Sequence, residues 1–186
     1  MNAQVFGGFD SHTLRKNMAV NITYFVHGTT LDNEKGLSSG WSDVELSPLG
    51  VQQSIDLKGQ IGNKKFATVK LTFKGTAPII PDARLRECNY GEYNAQLSVV
   101  VEPMQEKSVT QKFPGGESYE DVKIRMTDFL EFLKKNYNGK SIAIVAHKAP
   151  QLALDVLLRG KTWGQAFAED WRKTHSWQPG WEYSLS

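Results

Sequence analysis

Residues Val20 to Val26 form a largely apolar, β-branched run that stops at His27 and Gly28. A run with so little polar alternation predicts a strand covered on both faces, which belongs inside a layered α/β domain. The histidine then stands at the strand's carboxyl end. In open α/β sheets ligands bind at that edge, and a glycine after the histidine would let a ligand approach the backbone. Ser141 to Ala146 repeats the arrangement, ending on His147 before a helix predicted to open at Pro150. Two strands that each deliver an imidazole to one edge make a constellation.

The 186 residues suffice for one compact domain and are too few for two. Residues 1–17 lack an apolar segment and read as a flexible N-terminal extension, leaving 18–186 as the domain. A net charge of +2 argues against dedicated binding to nucleic acid or a membrane surface and leaves small anions as ligands. The single cysteine, Cys88, excludes an internal disulfide and a cysteine-rich zinc site, so a cytoplasmic, reducing location is expected.

Between the two strands, Thr29 to Val44 reads as a long polar loop of the kind that is usually functional. Ser47-Pro48 starts a helix whose apolar stripe is Val51, Ile55 and the Lys58 stem, with stop signals at Gly59 and Gly62. Phe66 to Phe73 alternates as a half-exposed strand, and Gln96 to Met104 as a short helix in an excursion over the sheet edge. Ser118 and Asp121 form a capping box. The helix behind it has one face of Val122, Met126, Phe129, Leu130, Leu133 and Tyr137, and Asn138-Gly139 ends it. Arg125 on that helix reads as solvated. Pro150 to Leu158 is a second apolar helix, Gln165 to Arg172 a third, and Trp181 to Leu185 a last strand. Alternating strands and helices give an α/β layered fold with a largely parallel sheet.

Two imidazoles and a carboxyl suit phosphoryl transfer: one neutral imidazole attacks phosphorus, the second donates to the phosphoryl oxygens, and an acid protonates the departing oxygen. The same three groups could hold iron or zinc, although their spacing matches no compact metal motif.

Val26-His-Gly-Thr-Thr30 with Asn33, Gly40-Trp-Ser-Asp43, Leu46-Ser-Pro-Leu-Gly50 with Gln53, Leu85-Arg-Glu87 with Tyr90-Gly91, Gly116-Glu-Ser118 with Arg125, and Val145-Ala-His147 follow in order. Together they resemble the histidine phosphatase superfamily, also called phosphoglycerate mutase-like, over roughly residues 20 to 160. The resemblance implies a three-layer α/β/α sandwich with a mostly parallel central sheet and a metal-independent, cofactor-free phosphatase acting on a small phosphorylated substrate. It implies that His27 is the phosphorylated nucleophile, His147 the second pocket histidine and Glu87 the general acid. Asn33 lines the phosphate pocket in this reading, with Gly28 and Thr30 beside it and the Gly116-Glu-Ser118 turn in its wall.

The sequence departs from the family in two places. Val26 stands where an arginine usually precedes the nucleophile, and the segment that carries a second arginine is missing between Phe66 and Asp82. Losing two charged hydrogen bonds would lower the rate by about 10²- to 10⁴-fold. Lys148, Arg84, Arg86 and Lys70 are the candidate replacements, with Lys148 assigned to the phosphate. The same departures leave open a non-catalytic member that binds a phosphorylated ligand or partner. A shortened middle would also bare a sheet edge for a second copy to cover in a homodimer.

Overall fold

The computed structural model describes residues 19–61, 80–174 and 180–186. The strand expected at Phe66 to Phe73, Lys70 and the 1–17 extension lie outside the described residues.

Strand β1, Val20–Val26, forms where the apolar run predicts it, and is central among the described residues in a sheet of order β4-β1-β5. Strand β4, Ser141–Ala146, pairs with it in parallel from Asn21↔Ser141 to Val26↔Ala146. Strand β5, Trp181–Leu185, pairs antiparallel on the other side, with Tyr24 opposite Trp181. Val20, Ile22 and Tyr24 point into the main core with Ile142, Ile144 and Tyr183. Thr23 and Phe25, on the opposite face, are buried as well, which is why the strand shows no alternation.

Helix α4, Tyr119–Tyr137, starts at the Ser118 and Asp121 capping box, and its expected apolar face is buried except for the half-buried Tyr137. Burying each of those five large side chains contributes about 1.5–3 kcal/mol. Helix α5, Lys148–Arg159, packs against α4 and ends at Gly160, whose φ of 69° closes the helix in the left-handed conformation. It opens two residues before Pro150, because His147 itself is extended and serves as the N-cap.

The long loop after β1 is more ordered than its polarity suggests. Thr30 caps a single turn of helix, α1, Leu31–Glu34, and β2, Leu37–Ser38, then pairs with β3, Gln96–Leu97. Helix α2, Pro48–Ile61, runs on through Gly59. Its inward stripe is Gly50, Gln53, Ser54 and Leu57, whereas Val51 and Ile55 are 48% and 58% exposed. Backbone contact decides this orientation: Gly50 abuts Thr29, and Gln53 accepts from the Thr29 amide.

The excursion begins with a 3₁₀ turn at Ala83–Leu85 and includes α3, Ser98–Val101, which continues as 3₁₀ helix over Glu102–Met104. The third helix is split. Helix α6, Trp163–Ala168, opens at a Thr162 and Gln165 capping box, and a separate 3₁₀ turn follows at Trp171–Thr174. Asp170 between them is turned inward and buried. No helix among the described residues is long and apolar enough to cross a membrane.

Candidate active site

The parallel register of β1 and β4 continues one residue past the strands, where the His27 amide donates to the Ala146 carbonyl at 3.0 Å. That places His27 and His147 side by side, with ring centroids 4.9 Å apart and planes inclined at 68°. His27 Nδ1 lies 2.7 Å from the Gly28 carbonyl oxygen. A carbonyl only accepts, so in the neutral ring Nδ1 carries the proton and Nε2 keeps its lone pair.

His147 is fixed through its backbone. The Tyr24 hydroxyl donates to the His147 carbonyl at 2.6 Å and accepts from the His147 amide at 3.1 Å. Sequence reasoning did not single out Tyr24. The available signal was a hydroxyl inside a strand covered on both faces, which must find a polar partner.

Glu87 reaches the same place from the excursion. Its carboxylate accepts from the Cys88 and Ala149 amides at 2.8 and 3.0 Å through Oε1, and from the Lys148 amide at 3.1 Å through Oε2. It therefore occupies the N-terminus of α5, where the helix dipole favours an anion. Burial pushes its pKa up, but the positive charge on His147, the Cys88 amide, Lys148 and the Ala149 amide together hold it below the ordinary carboxylate value.

The Glu87 backbone is clamped from behind by Arg125, which is no solvated residue. Its guanidinium pairs with both Glu117 oxygens at 3.0 and 3.2 Å and donates to the carbonyls of Arg84 and Glu87. Glu117 in turn accepts from the Asn89 amide at 2.9 Å. The Gly116-Glu-Ser118 motif thus braces the segment carrying Glu87. Trp41 Nε1 donates to the Glu87 carbonyl at 2.8 Å, with the Arg86 guanidinium 5.1 Å above the Trp41 ring.

Thr30 and Asn33 cap one another: the Asn33 amide donates to Thr30 Oγ1 at 3.1 Å, and the Thr30 amide to Asn33 Oδ1 at 3.0 Å. Gly28 serves packing, which corrects the expectation that it clears a path for a ligand. A Cβ there would sit 2.3 Å from the Gly50 carbonyl oxygen, a backbone atom that cannot swing aside. Gly28→Ala should therefore lower stability by about 1–3 kcal/mol in chemical denaturation. An unchanged unfolding midpoint would contradict the close packing of α2 on the His27 loop.

Lys148 does not hold its ammonium free for a ligand: Nζ pairs with Asp170 at 3.2 Å, and both side chains are buried. Arg84 is bound to Asp82. Burial pushes the Cys88 thiol far up, which makes it a poor nucleophile. Among the described residues no group of three His, Cys, Asp or Glu side chains is arranged to hold a metal ion.

The model of the histidine phosphatase superfamily (branch 1) matches residues 24–178. The 2,3-bisphosphoglycerate-dependent phosphoglycerate mutase of Cytophaga hutchinsonii is 31% identical over 150 residues, 65% of this chain and 68% of that protein. Fructose-2,6-bisphosphatase TIGAR of Xenopus tropicalis is 30% identical over 134 residues, 60% of this chain and 49% of that one. The mycobacterial glucosyl-3-phosphoglycerate phosphatase solved with VO3 superposes with a TM-score of 0.65 at 20% identity, covering 81% of this chain and 86% of that chain, a likeness of fold.

Proposed function

Because the chain belongs to the histidine phosphatase superfamily, we propose that it hydrolyses small phosphomonoesters through a phosphohistidine formed on His27. The observation that carries this reading is the 4.9 Å approach of the two imidazoles, with the Nδ1 proton of His27 directed at Gly28. That hydrogen bond leaves Nε2 as the nucleophile.

In the first step His27 Nε2 forms a bond to phosphorus while the ester P–O bond breaks, and the departing oxygen takes a proton from Glu87. In the second step water attacks the phosphohistidine, Glu87 accepts the water's proton, the P–N bond breaks and inorganic phosphate leaves. His147 donates to the equatorial oxygens, where charge is spread in the transition state. In this reading Asn33 Nδ2 and the Thr30 hydroxyl hydrogen are the donors assigned to the pocket wall, their capping bonds using Asn33 Oδ1 and a Thr30 lone pair instead.

Glu87 must be protonated for the first step, yet its surroundings favour the anion. A phosphate dianion brought beside it reverses that preference, because two like charges in one pocket cannot both be stabilised. Substrate binding at neutral pH should then be accompanied by proton uptake on Glu87. The test of the whole reading is hydrolysis of an aryl phosphate by the wild-type protein against His27→Ala.

A second reading, a non-catalytic phosphate binder, is favoured by the commitment of nearby cations: Arg84 to Asp82, Arg125 to Glu117 and Lys148 to Asp170. It predicts that inorganic phosphate raises the melting temperature while no aryl phosphate is turned over. Saturation at 100 times Kd would add about 2.7 kcal/mol of stability. Turnover that vanishes in His27→Ala would rule it out.

A further inference from the structure

Immediately after His147 the chain buries a lysine. The side chains of Lys148 and Asp170 are 5% and 4% exposed, and Nζ lies 3.2 Å from Asp170 Oδ2. The same oxygen accepts from Arg172 Nε and an Arg172 terminal nitrogen at 3.3 and 3.1 Å, and the Arg172 amide donates to Oδ1 at 3.2 Å. Arg172 reaches on to Glu102, 3.5 Å away at the rim of the excursion. Lys148 thus joins the cluster to the site: its amide donates to Glu87 while its ammonium is held by Asp170.

A buried ion pair is poor evidence for a purely stabilising role, because an apolar pair of similar volume is commonly as stable or more so. What such a pair retains is an electric field that water does not screen. Here the field has a sign. Lys148 and Arg172 carry two positive charges against one negative on the buried Asp170; the second acid, Glu102, is 54% exposed, so solvent screens it, and Arg84 and Arg125 are bound to Asp82 and Glu117.

We propose that the buried pair Lys148 and Asp170, with the partly exposed Arg172, forms a charge-setting cluster that supplies positive potential to the two-histidine pocket, with Asp170 as the positioning residue that limits how much of it Glu87 feels. The cluster takes over the electrostatic part of the work that an arginine at position 26 would do. It binds no substrate oxygen itself.

The groups that face the Glu87 carboxyl are His147 and Lys148 at the start of α5 and Arg172 after α6, all positive or able to become so. The neutral ones are Tyr24 on β1, Tyr119 on α4, and Tyr90 and Cys88 on the segment of Glu87 itself. Burial lowers the Lys148 pKa, Arg172 lowers it further, and Asp170 and Glu87 pull it back up, so Lys148 and Glu87 are coupled. Burial raises the Asp170 pKa, but Lys148 and Arg172 outweigh it and keep Asp170 ionised.

The experiment uses partners of opposite charge. Inorganic phosphate affinity is measured by calorimetry at about pH 6, which favours the protonated form of Lys148 against the burial that lowers its pKa, and Glu87 is titrated by carbon NMR of glutamate-labelled protein. Lys148→Met should weaken phosphate binding by about three- to tenfold and move the Glu87 titration up; Asp170→Asn should tighten binding by a similar factor and move it down. Glu102→Gln, at a side chain 54% exposed, should act in the direction of Asp170→Asn but less, and keeps the test available if a core variant fails to fold.

A merely structural cluster would misplace the α5 N-terminus in either core variant and weaken binding in both. Shifts in the same direction, or none, would overturn the proposal. It rests on the phosphate-pocket reading, and the two fail separately. If wild-type protein binds no phosphate while the Glu87 titrations still move in opposite directions, the charge-setting role stands and the pocket reading falls.

Discussion

His27→Ala should lower hydrolysis of an aryl phosphate by at least about 10³-fold, the scale on which single nucleophile deletions act. The size follows from chemistry rather than contact area: without the imidazole no P–N bond forms, and water must attack the ester directly. His147 and Glu87 would remain to orient that water, so the residual rate would not fall to the uncatalysed level. The fold should survive, because the ring is only half-buried and its polar bond is to the neighbouring Gly28 carbonyl. Circular dichroism and a melting temperature near wild type would establish this. A variant that turns over as fast as wild type would remove His27 from the chemistry, and with it the covalent intermediate.

Arg125→Met should produce the largest loss of stability, about 2–3 kcal/mol, corresponding to roughly 5–10 °C in melting temperature for a chain of this size. The Arg125 and Glu117 side chains are 15% and 17% exposed, so solvent screening is modest and the loss falls at or just below the range of about 3–5 kcal/mol for breaking fully buried pairs. Methionine keeps much of the aliphatic volume and removes the guanidinium, leaving the Glu117 carboxylate with the Asn89 amide and the Glu87 carbonyl with Trp41 Nε1, and taking the guanidinium from the Arg84 carbonyl.

Activity should fall with stability, since the segment thus released carries Glu87. Adding Glu117→Gln should recover part of the stability by removing the stranded charge, but not the activity, because the Arg125 clamp on the Arg84 to Glu87 segment is still missing. A stability loss below about 0.5 kcal/mol with unchanged kcat/KM would mark the pair as an ordinary surface contact.

The features legible in the sequence are those set by local pattern. The continuous apolar runs fix β1 and β4, and the residue ending each run is the histidine that meets its counterpart. Ser118 with Asp121, followed by apolar residues at helical spacing, fixes α4 and its buried face. Features set by backbone approach or distant charge were not legible. Hydrophobicity selects Val51 and Ile55 as the inner stripe of α2, but Gly50, with no side chain at all, lets the helix close on Thr29 and turns those residues outward.

Gly28 was read as access for a ligand, whereas another glycine's carbonyl fills that space. The partner of Lys148 lies beyond α6, and the capping box that opens that helix gives no hint that the aspartate after its end turns inward. Arg125 sits on an otherwise polar helix face, and only the returning chain at Arg84 to Glu87 makes it a clamp.

The order of the sheet bears on when this protein can first work. Among the described residues the first strand in sequence, β1, is flanked by the last two, β4 and β5, so its hydrogen-bonding edges wait for distant sequence. A nascent chain that has emerged only to residue 140 holds His27 without His147 and leaves both edges of β1 bare, a condition in which chaperones are useful. The two histidines are therefore brought together late and all at once, when the last quarter of these residues docks against a strand made more than a hundred residues earlier.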